Sequence, residues 1–235
     1  MSLFRNKLIA HRGLHYKKEV PENSLLAILK AVENSYDIEF DITITSDGQI
    51  VVFHDDDLKR LCGTLAFIEE VSYSFLEKQK LYETDEKIPL FDEVLELVKG
   101  KIDLIIEIKK HKNIGFLEKS LVEKLSFYEG RYFICSFDKD ILYWFRINEK
   151  EIKRGLIFET VPKRFEKFQK ALFLYKYYKT KPDFVSLQYE LIESNIYTFC
   201  KKKRVDIITW TINSKEKFEN VNAKVDGVIF ESEIF

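Results

Sequence analysis

The chain has 235 residues, of which 46% are apolar and 33% are charged, and its formal net charge is −1. These values predict a single globular domain spanning residues 1–235, and they disfavour a disordered chain or a strongly basic protein that binds nucleic acid. The three cysteines are widely spaced and match neither a zinc site nor a disulfide framework, which favours reduced thiols.

No segment of the chain has the features of a membrane or export signal. The N-terminal residues lack the apolar core of a signal peptide, and no window approaches the ~18 consecutive apolar residues of a spanning helix. We therefore expect a cytoplasmic protein without stable membrane insertion.

Short β-branched or aromatic runs alternate along the chain with longer amphipathic runs. The runs typical of strands cover 7–11, 37–44, 103–108, 132–137, 154–158, 183–188, 206–212 and 226–230. The runs typical of helices cover 22–34, 91–99, 115–129, 139–149, 164–179, 193–203 and 214–222. Strands separated by helices indicate βαβ units, and this many units favour an α/β fold of the closed (β/α)8 TIM-barrel type over an open sheet.

One segment interrupts this alternation. The turn signal Asp47-Gly48 lies between two apolar runs and predicts a hairpin, in which 50–54 pairs antiparallel with 38–45 as an additional strand. Counting outward from the turn places His54 opposite Asp41, and opposed side chains share a face. The less regular residues 56–88 are predicted to form a small insertion after this hairpin.

Functional side chains lie at the ends of several predicted strands. They are His11 and Arg12 on the first strand, Glu39 and Asp41 on the second, Glu107 and Lys109 on the third, and Trp210 on the seventh. In a parallel barrel these ends meet at one rim, where active sites lie. Three carboxylates at such short distances from one another require a cation. A set of oxygen ligands suits Mg²⁺ or Ca²⁺ better than Zn²⁺.

The same rim carries more positive charge than a metal site requires. Arg12 and Lys109 join it, and the surplus indicates an anionic substrate such as a phosphate. His11 and His54 titrate near neutral pH and could supply and remove protons. Hydrolysis of a phosphodiester needs these functions together.

An ordered set of motifs resembles the glycerophosphodiester phosphodiesterase family over nearly the whole chain. The motifs are Ile9-Ala10-His11-Arg12-Gly13, Pro21-Glu22-Asn23-Ser24, Glu39-Phe40-Asp41, Ser46-Asp47-Gly48 with Val52-Phe53-His54-Asp55, Ile88-Pro89-Leu90-Phe91-Asp92-Glu93-Val94, Glu107-Ile108-Lys109, Ser136-Phe137, Trp210-Thr211-Ile212-Asn213 and Asp226-Gly227-Val228-Ile229. The resemblance implies a barrel enzyme that uses a divalent cation to cleave glycerophosphodiesters into sn-glycerol 3-phosphate and an alcohol.

The resemblance also implies a role for each residue of the rim. The implied roles are catalysis for His11 and His54, metal binding for Glu39, Asp41 and Glu107, and phosphate or substrate binding for Arg12, Lys109, Glu22 and Trp210. Trp210 either packs or contacts the glycerol, and the carboxylate of Glu22 or Asp55 orients a histidine or a ligand. The chain departs from the family pattern at Phe230-Glu231, where Thr-Asp is usual, and this leaves the substrate preference open.

Two alternatives remain at this point. A lysophospholipase D-like activity on lysophospholipids would use the same residues but would need an apolar groove at the rim. A non-catalytic barrel that binds phosphate headgroups would be expected to lack at least one of the two histidines or three acids. The sequence leaves open Mg²⁺ or Ca²⁺, the order of the acid and base roles, a cyclic phosphate intermediate, the alcohol headgroup, and a monomer or homodimer.

Three further features are predicted outside this set. His15 is expected in a surface loop or at the entrance of the site, and His111 is expected to be solvated. The aromatic run 173–178 is expected to face mostly inward on an outer helix, with a minor option of a membrane-surface role for its exposed rings.

Overall fold

The protein is a closed barrel of parallel strands surrounded by helices, in a computed structural model that describes residues 2–234. The strands are β1 (Leu8–His11), β2 (Asp37–Ile44), β3 (Ile50–Val52), β4 (Leu104–Ile108), β5 (Tyr132–Ser136), β6 (Arg154–Phe158), β7 (Phe184–Gln188), β8 (Asp206–Ile212) and β9 (Gly227–Phe230). Strand β1 pairs in parallel with both β2 and β9, and this double pairing closes the ring. Among the described strands only β3 lies outside the ring, antiparallel to β2, so the predicted (β/α)8 barrel is confirmed.

Helices connect the barrel strands and cover their outer surface. They are α1 (Leu25–Glu33), α2 (Lys59–Cys62), α3 (Tyr73–Leu76), α4 (Phe91–Val98), α5 (Phe116–Leu125), α6 (Lys139–Asn148), α7 (Gln169–Thr180), α8 (Asn195–Lys203) and α9 (Lys215–Val221). Short 3₁₀ helices cover Ile68–Glu70, Lys163–Phe168, Tyr189–Leu191 and Ser232–Ile234. None of the described helices is both long and apolar enough to cross a lipid bilayer.

Two helices differ from their predicted bounds in ways that matter below. The first was predicted over 22–34 but begins at Leu25, because Ser24 caps it and its hydroxyl accepts a hydrogen bond from the Ala27 amide. Residues 22 and 23 are therefore free of the helix. The segment predicted as 164–179 divides into a 3₁₀ helix, none of whose side chains is buried, and α7.

Apolar side chains fill the half of the barrel interior that lies toward the N-terminal ends of the strands. Phe4, which precedes β1, lies at the N-terminal end of the barrel and contacts Phe133 and Phe184, with ring centroids 5.1 and 5.2 Å apart respectively. Ile9, Ile105 and the other members of this inner cluster stack above the three rings. Because this end is closed, the polar side chains of the interior collect at the opposite, C-terminal rim.

The insertion after β3 has a small core of its own. Val51 and Phe53 from the hairpin pack against its apolar side chains, which are Leu58, Leu61, Ile68, Leu76, Leu81 and Ile88. Residues 56–88 are thus anchored to the barrel through the hairpin, beside the rim.

The hairpin exists as predicted, but its predicted register was wrong by one residue. The pairs are Ile42–Val52 and Ile44–Ile50, and the Phe53 amide donates to the Asp41 carbonyl at 3.0 Å, so Phe53 rather than His54 lies opposite Asp41. The count assumed a two-residue turn. The observed loop contains three residues between Thr45 and Gln49 and has Gly48 at φ 82°, the positive angle that such loops require.

Candidate active site

A cavity of about 480 Å³ opens at the C-terminal rim of the barrel. Six of the residues singled out in the sequence line it, namely His11, Arg12, Glu39, His54, Glu107 and Trp210. Lys109 lines an adjoining cavity of about 400 Å³ that shares Glu107 with the first. Asp41 and Glu22 line neither cavity and lie behind their walls, where they contact Arg12. The structure therefore brings the predicted site residues together at one rim.

Three buried carboxylates form the centre of the site. Oxygen atoms of Glu39, Asp41 and Glu107 all lie within 4.8 Å of one another. Burial, reinforced by the neighbouring charge of Asp41, raises the pKa of Glu39 well above its usual value and that of Glu107 to about 7. Like charges in a poorly solvated site oppose ionisation, so this cluster is unfavourable without added positive charge.

Two basic side chains supply part of that charge. Lys109 Nζ donates to Glu107 Oε1 at 2.8 Å and lies 3.4 Å from Asp41 Oδ1. Arg12 Nε lies 3.4 Å from Asp41 Oδ2. Burial alone would raise the pKa of Asp41, but Lys109 and Arg12 outweigh it and lower this pKa to about 2. Asp41 is therefore the carboxylate that stays ionised.

A tight turn after β1 positions Arg12. Arg12 and Gly13 have φ angles of 53° and 76°, and a Cβ at position 13 would lie 2.8 Å from the Ala27 backbone, so only glycine fits there. Asn23 fixes the turn from the other side. Its backbone N–H donates to the Arg12 carbonyl and its side-chain Nδ2 donates to Asp41 Oδ2, both at 2.9 Å. The short loop before α1 thus holds both the arginine and a carboxylate.

One carboxylate joins two histidines, of which only His11 lines the cavity. Glu231 Oε1 lies 2.8 Å from His11 Nδ1, and Glu231 Oε2 lies 2.8 Å from His15 Nε2. These histidines lower the pKa of Glu231 despite its burial. His11 Nε2 points instead toward the acids and lies 3.9 Å from Glu39 Oε2. His15 lines neither rim cavity and contacts the site only through Glu231, so its predicted place at the entrance stays a prediction.

The second cavity histidine is held in the same way. His54 Nδ1 lies 2.7 Å from Asp55 Oδ1. Arg60, in α2 of the insertion, donates hydrogen bonds to Asp55 from Nε at 2.6 Å and from Nη2 at 2.9 Å. Its guanidinium also donates twice to Glu22, both at 2.7 Å, and Glu22 in turn accepts from Arg12. One ion-pair network therefore connects the insertion to both His54 and Arg12.

Two aromatic rings form part of the cavity wall. Phe137 and Trp210 meet edge to face with centroids 5.6 Å apart, and both line the cavity. The Trp210 indole donates to the Ser186 carbonyl at 3.3 Å. Trp210 thus packs and lines the cavity at once, so both predicted roles are compatible with its position.

Sequence reasoning missed Arg60 and the full role of Glu231. Glu231 directly follows β9, so the rule that strand ends carry functional groups applied to it as it did to His11. Arg60 gave no such signal, because its position depends on how the insertion folds back over the rim.

The prediction that His111 is solvated was wrong. Only 1% of its side chain is exposed, and its Nε2 lies 3.3 Å from Oε1 of the fully buried Glu118 in α5. His111 Nδ1 lies 3.0 Å from the Lys109 carbonyl. His111 therefore links the loop that carries Lys109 to the outer helix layer.

Comparisons with known proteins point to one family. The sequence profile described as the glycerophosphoryl diester phosphodiesterase family matches residues 11–232. A glycerophosphodiester phosphodiesterase from Caldanaerobacter subterraneus is 32% identical over 94% of this chain and 92% of its own.

Two solved structures are similar to this chain over nearly its whole length. The glycerophosphodiester phosphodiesterase of Thermotoga maritima superposes with a TM-score of 0.78 at 27% identity, covering 99% of this chain and 97% of its own. A phosphodiesterase from Oleispira antarctica, solved with the product sn-glycerol-3-phosphate, shares the fold with a TM-score of 0.80 at 20% identity, over 97% and 93% of the two chains. The chain belongs to the glycerophosphoryl diester phosphodiesterase family.

Proposed function

We propose that this enzyme hydrolyses glycerophosphodiesters to sn-glycerol 3-phosphate and an alcohol, using one divalent cation and two histidines. The observation that carries the proposal is the arrangement of His11 and His54 around the buried acids in one rim cavity. In this proposal the whole chain is one catalytic domain, and the insertion is part of it.

Glu39, Asp41 and Glu107 would hold the cation. Their oxygen atoms converge within 4.8 Å, and two of the three have raised pKa values, which is the electrostatic signature of a site that lacks positive charge. An all-oxygen donor set fits Mg²⁺ or Ca²⁺. When bound, such a cation would supply the positive charge that stabilises the phosphoryl group as negative charge builds up on it.

The two histidines would carry the protons. Each imidazole has its Nδ1 on a carboxylate, Glu231 for His11 and Asp55 for His54. A proton held at Nδ1 leaves Nε2 able to accept one. We propose that one Nε2 removes the proton of the attacking water or glycerol hydroxyl, and that the other histidine protonates the departing alkoxide.

Arg12 and Lys109 would bind the phosphate. Both are already held near the acids, Arg12 by Glu22 and Lys109 by Glu107, so neither has to be ordered when substrate arrives. A planar guanidinium and an ammonium together suit phosphate oxygens. Glu22 fixes Arg12 and does not line the cavity, so we assign it to orienting the phosphate-binding group. Phe137 and Trp210 would cover the carbon face of the glycerol.

The lining of the rim favours a small substrate over a lysophospholipid. An acyl chain would need a continuous apolar path beyond the phosphate. The adjoining cavity contains Leu172 and Tyr175, but most of its wall is charged, with Asp56, Glu107, Lys109, Lys110, Asp138, Lys139 and Lys176. A polar alcohol leaving group fits this lining better. A binding module without catalysis would not explain why both histidines are anchored through Nδ1.

Turnover of glycerophosphocholine by the full chain tests the proposal. The purified protein should lose activity in chelator and regain it with Mg²⁺ or Ca²⁺, added in separate arms. His11→Ala and His54→Ala should each lower kcat by about 10²–10⁴-fold with an unchanged circular dichroism spectrum. Full activity in either variant, or in chelator, would contradict the mechanism, and turnover of lysophosphatidylcholine alone would favour the alternative substrate.

A further inference from the structure

A surface on one side of the rim is not explained by the proposed reaction. The 3₁₀ helix Lys163–Phe168 buries none of its side chains, although it contains two phenylalanines. Phe165 and Phe168 are 48% and 57% exposed. A helix that exposes large apolar side chains to water is unusual on a protein surface. Exposed apolar patches of this kind mark binding sites.

The exposed apolar side chains form a stripe. Leu172, Tyr175 and Tyr178 in α7 are 40%, 54% and 55% exposed and continue the line of Phe165 and Phe168. The steps between these five residues are three or four positions, which keeps them on one side of a helical segment. We call this row the aromatic stripe. The opposite side of α7 packs inward through Phe173 and Thr180, so the helix is held against the barrel while the stripe faces out.

Positive charge surrounds the aromatic stripe. Residues 162–181 contain seven Lys or Arg and one acidic residue, Glu166, in a chain whose net charge is −1. Arg164 lies 4.8 Å from the Phe165 ring centroid and Lys167 lies 5.1 Å from that of Phe168, so each of these two phenylalanines has a cation beside its ring. Among the described residues, neither Arg164 nor Lys167 forms an ion pair with an acidic side chain. The surface therefore combines exposed apolar side chains with positive charges that have no acidic partner within the described part of the chain.

This combination fits an anionic lipid surface. Aromatic side chains with flanking Lys and Arg are typical of helices that lie in the membrane interface, where the rings enter the headgroup boundary and the cations meet anionic lipids. A second copy of this chain fits poorly, because a symmetric contact would place the same cations against each other. A polyanion such as DNA would pair with the positive charges but would not explain why the apolar side chains of the stripe are exposed.

The position of the stripe supports the same partner. The 3₁₀ helix follows β6, which places it at the C-terminal rim, and Leu172 and Tyr175 line the cavity that adjoins the catalytic one. A membrane contacting the stripe would therefore lie beside the substrate entrance. We propose that this enzyme docks on anionic lipid surfaces through the aromatic stripe and its flanking cations, without inserting a spanning helix. Glycerophosphodiesters are what remains when both acyl chains are hydrolysed from a glycerophospholipid, so a docked enzyme would sit where its substrate is released.

Flotation of the full chain with vesicles tests the docking directly, and it does not depend on turnover. Vesicles of phosphatidylcholine alone should recover little protein, whereas vesicles with added phosphatidylglycerol should recover most of it, less so at high salt. Arg164→Gln with Lys167→Gln should weaken binding about thirty-fold, at about 1 kcal/mol per cation. Phe165→Ser with Phe168→Ser should abolish flotation, and circular dichroism should show both double variants folded.

Matched controls lie at the other end of the barrel. Lys202 and Lys203 are exposed at the C-terminal end of α8, which precedes β8, and Phe127 is 84% exposed just after α5. Lys202→Gln with Lys203→Gln, and Phe127→Ser, should leave flotation unchanged. The proposal fails if anionic vesicles recover no more protein than neutral ones, or if the controls lose as much binding as the stripe variants. It also fails if the Phe165 and Phe168 variants instead convert a dimer to a monomer in light scattering, or lose only the binding of a DNA oligonucleotide.

Discussion

Nδ1 of His11 lies 2.8 Å from Oε1 of Glu231, although 220 positions separate them in the chain. Closure of the barrel explains this contact, because β1 pairs with β9 and so brings the ends of the first and last strands side by side. The other oxygen of Glu231 lies 2.8 Å from His15 Nε2, which holds the carboxylate from its far side. His11 is therefore held in one orientation by a residue outside the motifs of the N-terminal segment.

We expect Glu231→Gln to lower kcat about ten- to a hundredfold and to change KM little. The glutamine amide can present a donor to Nδ1, and this would favour the wrong imidazole tautomer. Glu231→Asp should recover part of the loss, since it keeps the carboxylate. Steady-state kinetics on glycerophosphocholine would measure both effects, with the exposed Glu219→Gln as a matched control. A Glu231→Gln enzyme with the parent kcat would show that His11 does not depend on this contact.

The barrel and its rim could be predicted because they depend on periodicity and strand ends. The side chains of Glu39, Asp41 and Glu107 converge because two neighbouring parallel strands bring equivalent positions together, and the register pairs Asp41 with Glu107 directly. The one-residue error at His54 arose because the number of residues in a hairpin loop depends on its backbone angles. Arg60 could not be predicted, since its contacts with Glu22 and Asp55 are 38 and 5 positions away and arise from packing of an irregular insertion.

Glu39→Gln should separate metal binding from folding. Burial and two neighbouring acids raise the pKa of Glu39, so removing its charge relieves repulsion in the metal-free protein. In chelator we expect the variant to melt at the same temperature as the parent or higher. Adding Mg²⁺ or Ca²⁺ should raise the melting temperature of the parent and leave that of the variant nearly unchanged. Equal shifts in both proteins would mean that the cation binds elsewhere.

Arg60→Met should lower kcat about tenfold although Arg60 does not line the cavity. The substitution removes four hydrogen bonds from Asp55 and Glu22, and so loosens the carboxylate that holds His54. A double-mutant cycle with Asp55→Asn measures the coupling, because the second substitution should cost much less once Arg60 is gone. Lys59→Met, at the neighbouring exposed position, is the control. Fully additive losses would show that Arg60 acts independently of the Asp55–His54 pair.

His111 should give the protein a stability that depends on pH. Burial alone would lower its pKa, but the contact with Glu118 and the bond to the Lys109 carbonyl outweigh burial and raise this pKa above 6.5. A group whose pKa is raised on folding adds stability that is fully present below its unfolded pKa and is lost as the pH rises through the folded pKa. His111→Gln should therefore cost about 3 kcal/mol of unfolding free energy at pH 6, as expected for a broken buried pair, and clearly less at pH 9. Urea unfolding across this range, in chelator, measures the difference, with Lys112→Gln at the neighbouring exposed position as the control. A His111→Gln cost that stays constant with pH would show that the contact with Glu118 does not depend on the imidazolium charge.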